Sequence, residues 1–293
     1  MYYLVRGLLY GISLLPFGIL YLFSDLFYII VYYLLKYRRG IVMQNLAIAF
    51  PEKTASERKK IARQFYRNLI DTFIESIKFI SISEKQLEKR SSGDFEMING
   101  LIAKGKNIHL MAAHQFNWEF ANLLYARKLS IPFVGVYMPI SNKIINRLFY
   151  TFRKKYGTVL ISKDDFKNKR HEVFAKQYIL ALAADQNPGL PGNAYWMNFF
   201  EKPAPFVTGP AKGAVKNNTA VVFVGFQKIK RGHYHFTNSL LTENGADHSP
   251  EELTKMYRDA LEKLIRDDPA NYLWSHRRWR WDWKEEYGPI LPG

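Results

Sequence analysis

Between Gly7 and Leu35 the chain is almost wholly apolar or aromatic, with Asp25 as its only charged residue. As one helix this stretch reaches roughly 40 Å, enough to cross a bilayer with some tilt. It is too long for the apolar region of a typical signal peptide, and no small-x-small cleavage site comes after it. It runs instead into Lys36, Arg38 and Arg39, against a lone Arg6 before it. The positive-inside rule then puts the downstream domain in the cytoplasm. A buried core helix is the competing reading, and the interruptions at Pro16, Gly18, Ser24 and Asp25 also allow a bent or partly inserted helix. The expected organisation is a membrane anchor over 1–39 and a cytoplasmic domain over 40–293.

Charge narrows the partners. Lys and Arg number 42 against 26 Asp and Glu, a net +16. Such a balance suits a nucleic acid, an anionic membrane surface, or an acidic protein or lipid, without choosing among them. Aromatic residues make up 16% of the chain, a composition that favours the bilayer interface. There is no cysteine, which excludes disulfides, thiolate catalysis, Cys-ligated zinc and iron–sulfur clusters.

Beyond the apolar segment, residues 40–52 read as a connector that Pro51 closes. Ser56–Ile80 has helical spacing, with Ile61, Phe65, Leu69, Phe73 and Ile77 on one face. Ser81–Glu96 is polar and reads as a short helix with loops. Strands are expected at Asn107–Ala112, Phe133–Tyr137, Val159–Ile161, Ile179–Ala183, Thr219–Gln227 and His233–Thr237. Helices are expected at about Asn117–Lys128, Lys143–Tyr156, Lys169–Lys176, Ala211–Asn217 and Glu251–Arg266. Strands alternating with helices predict an α/β fold, a mixed sheet flanked by helices.

Chemistry concentrates at strand ends. The run Ala113-His114-Gln115-Phe116-Asn117-Trp118-Glu119 closes one strand and opens a helix, where open α/β sheets gather reactive groups. His114 and Glu119 lie about 140° apart on a continuous helix, but a strand-to-helix turn lets them meet. A carboxylate on one imidazole nitrogen fixes the tautomer and raises the basicity of the other. A hydrogen-bonded structural histidine is the commoner outcome for such spacing alone. Asp185-Gln186-Asn187-Pro188-Gly189 comes after another strand and reads equally as an Asx turn. Thr208-Gly209-Pro210 opens a helix, as an anion site or a plain N-cap. Trp274-Ser275-His276-Arg277-Arg278-Trp279 interleaves Arg with Trp. It suits stacking on bases, phosphates at a membrane, or a strand capped by surface Arg. Arg153-Lys154-Lys155 is a further basic cluster. No nucleophile elbow, phosphate loop, dinucleotide fingerprint or zinc helix is present. His233 and His235 lack a third ligand in sequence, so no metal site is expected.

In this order and at these distances, the motifs resemble the bacterial lipid A biosynthesis acyltransferase family, the late lauroyl/myristoyl enzymes. They are Leu14-Leu15-Pro16, Arg38-Arg39, Asn45-Leu46, Phe50-Pro51-Glu52, the His114-x4-Glu119 pair, Asp185-Gln186 with Pro188-Gly189, Phe199-Phe200, Thr208-Gly209 and the Trp274–Trp279 run. The resemblance implies a glycerolipid-acyltransferase-like fold with an N-terminal membrane helix at the bacterial inner membrane. It implies acyl transfer from acyl carrier protein to a hydroxyl of a lipid A precursor, an anionic glycolipid, forming an acyloxyacyl group. His114 would be the general base and Glu119 its orienting partner, without a covalent acyl-enzyme or a cofactor. Asn117, Arg147, Arg153, Asp185, Gln186, Thr208, Gly209, Arg277 and Arg278 would contact substrate. Many relatives carry an Arg where this chain has Met138, so Arg147 or Arg153 substitutes, or the acceptor is less charged. Another lipid, such as an aminolipid with a free hydroxyl on its acyl chain, is the alternative acceptor. A membrane-tethered polyanion-binding protein is the distant one; no nucleic-acid module is recognisable, and no nucleic-acid partner is expected.

Overall fold

A computed structural model describes residues 1–292. The apolar N-terminal segment is not one rod. Helix α1 (Tyr2–Leu14) ends at Leu15, and Pro16 starts α2 (Phe17–Ile29), which runs on into a π-helical turn over Ile30–Leu34. Proline has no N–H to continue α1, and it holds Leu15 in an extended conformation. The stretch Phe17–Leu34 is long and apolar enough to cross a membrane, by length and composition. Helix α3 (Arg39–Ala49) occupies the expected connector, and α4 (Ala55–Lys78) comes next with a Thr54–Glu57 capping box.

Helix α4 is buried on two sides. Phe65, Tyr66 and Leu69 face the core, while Asp71, Glu75 and Lys78 receive the N-terminal helices. Ser24 Oγ donates to Asp71 at 2.7 Å, Tyr21 Oη to Glu75 at 2.7 Å, and Lys78 Nζ to the Ser13 carbonyl at 2.7 Å. In α2, Leu20, Ser24 and Tyr28 are buried, and Tyr32 continues their row through the π-helical turn. Leu22, Phe23, Leu26 and Phe27 stay exposed. Spacing places Phe73 on the core face of α4, but it is 51% exposed. The buried row tilts towards Ile70 and Ile74, because α2 covers that flank.

The rest forms a layered α/β unit. Helix α5 (Glu84–Arg90), strand β1 (Ser91–Gly93) and helix α6 (Glu96–Ala103) lead to β2 (Ile108–Ala112) and α7 (Trp118–Lys128). Then come β3 (Phe133–Tyr137), α8 (Lys143–Arg153), β4 (Val159–Ser162), α9 (Phe166–Phe174) and β5 (Ile179–Ala183). A hairpin of β6 (Ala194–Phe199) and β7 (Lys202–Val207) precedes α10 (Gly209–Lys216), β8 (Ala220–Lys230), β9 (His233–Thr242), α11 (Pro250–Asp267) and the short β10 (Ile290–Leu291).

The main sheet has the order β1-β9-β8-β2-β5-β3-β4, parallel at every pairing except β8 with β9. Strand β10 lies beside β6 in a small second sheet with β7. The central strands are almost wholly apolar because helices cover both faces, His109 in β2 being the buried exception. Met111 and Phe223 pack with Ala211, Leu253 and Leu261 on one side. Leu110 and Val222 pack with Leu101, Phe120 and Leu124 on the other. This is the mixed, helix-flanked sheet expected from the sequence. At the β8–β9 turn Gly232 has φ +71, and a Cβ there would run into the Tyr21 hydroxyl. Only glycine lets this turn lie against α2.

Candidate active site

Strands β2 and β5 are parallel neighbours, with Ala112 opposite Ala183. The ladder extends one step further, Ala184 N–H donating to the Ala112 carbonyl at 3.2 Å. Two residues beyond those partners stand His114 and Asp185, so the sheet register itself delivers one to the other. Nδ1–H of His114 donates to Asp185 Oδ1 at 2.8 Å. The imidazole is 26% exposed and the carboxylate 1%. Burial works against a proton on His114, but the Asp185 carboxylate and its hydrogen bond prevail and raise the imidazole's pKa above its usual value. Burial likewise opposes the Asp185 charge, and His114 prevails there too, holding that carboxyl below its usual range. Because Nδ1 is committed to the carboxylate, Nε2 is the nitrogen left to take a proton from an attacking hydroxyl.

This corrects the expected partner. Glu119, 1% exposed on the first turn of α7, is engaged elsewhere. Arg153 Nε donates to its two oxygens at 3.1 and 2.9 Å, and Arg153 Nη2 adds a further, short contact. Trp118 Nε1 donates to Glu119 at 3.1 Å. The ion pair joins α7 to α8 beside the imidazole. Burial opposes the Arg153 charge, but Glu119 outweighs it and raises the guanidinium's pKa.

Other expected contact residues separate by environment. Asn117 is fully buried; it caps α7 by accepting from Glu119 N–H at 2.9 Å and donates to Glu75 at 2.8 Å. A side chain engaged on both arms is part of the scaffold rather than a substrate contact. Arg278 is 1% exposed, packed over Phe199 and Phe206, and donates to Asn187 Oδ1 at 3.2 Å. It too belongs to the interior. Arg277 is exposed, and its carbonyl accepts from Asn187 Nδ2. Arg147 is exposed on α8, 4.1 Å from the Tyr2 ring centroid. Thr208 and Gly209 open α10, where Thr208 makes no side-chain cap. The contacts found among the described residues do not join them to His114.

Met138, just past β3, is 68% exposed. Neither candidate substitute for the missing arginine is unengaged, since Arg147 stacks on Tyr2 and Arg153 pairs with Glu119.

The run from Tyr272 to Arg278 forms turns rather than a strand, and it closes the site from the far side. Leu273 N–H donates to the His114 carbonyl at 3.1 Å. Asn45 Nδ2 on α3 holds the Trp274 and His276 carbonyls at 2.8 and 2.7 Å, and Arg38 reaches the Ser275 carbonyl at 3.1 Å. These residues carry a motif signal (Arg38-Arg39 and Asn45-Leu46), but their role is invisible in sequence. His276 Nε2 accepts from Asn187 N–H at 3.2 Å, and burial lowers its pKa to about 4.

A cleft of about 620 Å³ opens here, the size of a typical ligand site. Val31 and Leu35 line it from the apolar segment, Leu69 and Phe73 from α4, and Trp118 and His276 from the catalytic end. The Trp118 ring lies 5.6 Å from that of His114. The cleft thus runs from the N-terminal segment to Trp118, with Arg38, Gln186 and Ser275 adding polar groups to its wall.

Comparison with known proteins points to one family over most of the chain. The model of the family described as bacterial lipid A biosynthesis acyltransferase matches residues 1–281. The chain is 24% identical over 287 residues to the lipid A biosynthesis lauroyltransferase of Escherichia coli (strain K12), covering 92% of each chain. It is 22% identical over 253 residues to the lipid A biosynthesis palmitoleoyltransferase of the same organism, covering 84% of this chain and 80% of that one. It is 23% identical over 251 residues to a lipid A biosynthesis acyltransferase of Haemophilus influenzae (strain ATCC 51907 / DSM 11121 / KW20 / Rd), covering 83% and 78%.

Proposed function

The chain belongs to the bacterial lipid A biosynthesis acyltransferase family, and from that premise we propose that it moves a fatty acyl chain from acyl carrier protein to a hydroxyl of a lipid A precursor. The carrying observation is the 2.8 Å contact between His114 Nδ1 and Asp185 at adjacent strand ends. His114 Nε2 takes the proton of the acceptor hydroxyl as its oxygen attacks the thioester carbonyl. Asp185 holds the tautomer and stabilises the imidazolium that forms. The tetrahedral intermediate collapses, the C–S bond breaks, and the proton passes to the departing thiolate. No acyl-enzyme intervenes. The absence of cysteine and of a nucleophile elbow from the sequence supports direct transfer.

The cleft beside Trp118 takes an acyl chain, and its wall of Val31 and Leu35 supports entry from the bilayer side. A net charge of +16 draws the protein to an anionic leaflet and to an acidic carrier protein. We place the chain at the inner membrane with the site on the cytoplasmic side, on the strength of Lys36, Arg38 and Arg39 after the apolar segment.

One observation favours a second acceptor. With Met138 uncharged and both nearby arginines engaged, a lipid with fewer phosphates, such as a hydroxyacyl aminolipid, fits the same site. The lipid mass spectrum of cells lacking the gene decides. Loss of one acyl chain from lipid A is the expected result. Unchanged lipid A with an altered aminolipid selects the second reading, and no change in any lipid contradicts both.

A further inference from the structure

Beneath the catalytic turn lies a carboxylate with no basic group among its hydrogen-bond partners. Glu75, on α4, is 0% exposed. A buried carboxylate is tolerated only where hydrogen bonds replace its water, and here three donors supply them. Tyr21 Oη donates to Oε1 at 2.7 Å, while Asn117 Nδ2 and Tyr234 Oη donate to Oε2, each at 2.8 Å. The donors come from three places: the apolar helix α2, the turn after His114, and strand β9.

The Asn117 arm matters most. Its amide has one orientation that satisfies both neighbours, Nδ2–H towards Glu75 and Oδ1 towards the backbone N–H of Glu119. Glu75 therefore fixes how α7 begins. That in turn fixes Trp118, which stands against the His114 ring, and Glu119, which pairs with Arg153.

We propose that Glu75 is a positioning residue for acyl transfer, holding the catalytic turn through Asn117 and tying it, through Tyr21, to the apolar N-terminal helix. The proposal rests on the reading of His114 as the base. It adds that the N-terminal helix is wired to the chemistry and does more than tether the enzyme. In the reaction Glu75 touches neither donor nor acceptor. Misplacing a catalytic turn by about 1 Å costs on the order of 10²-fold in rate, so the effect falls on kcat while KM holds.

The test uses the full chain in detergent micelles, with acyl-loaded carrier protein and a lipid A precursor as substrates. Glu75→Leu is expected to lower kcat about 10²-fold with KM nearly unchanged. Glu75→Gln keeps most of the rate, because its carbonyl still accepts from Asn117 and Tyr234 and its amide donates to the Tyr21 oxygen. Tyr21→Phe removes a single hydroxyl, and kcat is expected to fall about fivefold, the worth of one hydrogen bond. It decides the matter if Glu75→Leu does not fold. Wild-type kcat in folded Glu75→Leu, equal damage from Gln and Leu, or, where Leu does not fold, wild-type kcat in Tyr21→Phe would overturn the proposal. A parallel His114→Ala variant separates the two levels. If it is inactive while Glu75→Leu turns over normally, only the positioning role fails. If His114→Ala is active, the base itself is another residue.

Discussion

His114 and Asp185 pull each other's ionisation in opposite directions. The histidine's pKa is raised in the folded protein. Its share of the pair's stability is complete below the ordinary imidazole value, near 6.5, and is lost as pH rises through the raised one. Asp185 is lowered, so its share is present above the ordinary carboxylate range and is lost on acidification. As the proposed base, His114 acts through its neutral imidazole. kcat/KM is therefore expected to rise with pH through a midpoint above about 6.5, measured as a pH–rate profile. Asp185→Asn should shift that midpoint down and lower the plateau by about 10²–10⁴; an unmoved midpoint would refute the pairing. Glu119→Gln tests the corrected assignment separately. It leaves the half-buried Arg153, 19% exposed, without its counter-charge, and thermal unfolding should show a loss of about 2 kcal/mol, less than for a fully buried pair because water still reaches the guanidinium. His114 is legible in the sequence because an apolar run ends on it. Its partner is not. Asp185 stands out at another strand end, but two strands, β3 and β4, intervene between β2 and β5 in sequence. Their adjacency is a matter of sheet order, which local pattern does not carry.

At the level of elements, patterns fail where a segment lacks its usual signature. The buried central strands and the amphipathic α4 and α11 stand out by periodicity and capping boxes. The β6–β7 hairpin does not, because Pro203 and Pro205 in β7 argue against a strand, yet both are tolerated where β7 is an edge. Helix α3 reads as a connector because Gly40 lies in its first turn and Pro51 follows its end, leaving a short segment with weak periodicity. By hydropathy the long apolar segment reads as one helix, and the interruption at Pro16 is what marks where the chain turns. Docking of α2 also escapes the sequence. It depends on Asp71, which binds Ser24 at 2.7 Å, Lys228 at 3.1 Å and Arg231 at 2.7 Å. Asp71→Ala should leave Lys228 short of its counter-charge and loosen α2. Its cost is about 3 kcal/mol, near the low end for a buried pair because Arg231 remains partly solvated, and is read from the unfolding midpoint together with faster proteolysis near Pro16. Unchanged stability would mean that α2 is held by its apolar contacts alone.

For the molecule as a whole, the apolar segment exposes one apolar face and builds the enzyme's cleft with the other. Its outer face exposes Leu22, Phe23, Leu26 and Phe27, while its inner face covers α4 and walls the cleft. Deleting residues 1–35 is therefore expected to give an aggregating, inactive protein. A soluble, active truncation, judged by gel filtration and turnover, would reduce the segment to a tether. The +16 charge adds a long-range term, and binding to vesicles containing anionic lipid should weaken as salt shortens the screening length from about 10 Å at 0.1 M to about 3 Å at 1 M. The proposed chemistry sits at the two strand ends, on His114 and Asp185. Its most direct test is the rate at which purified, folded His114→Ala transfers acyl groups from acyl carrier protein to a lipid A precursor. A loss of about 10²–10⁴ is expected, with membrane association intact. Near-normal turnover by that variant would contradict it.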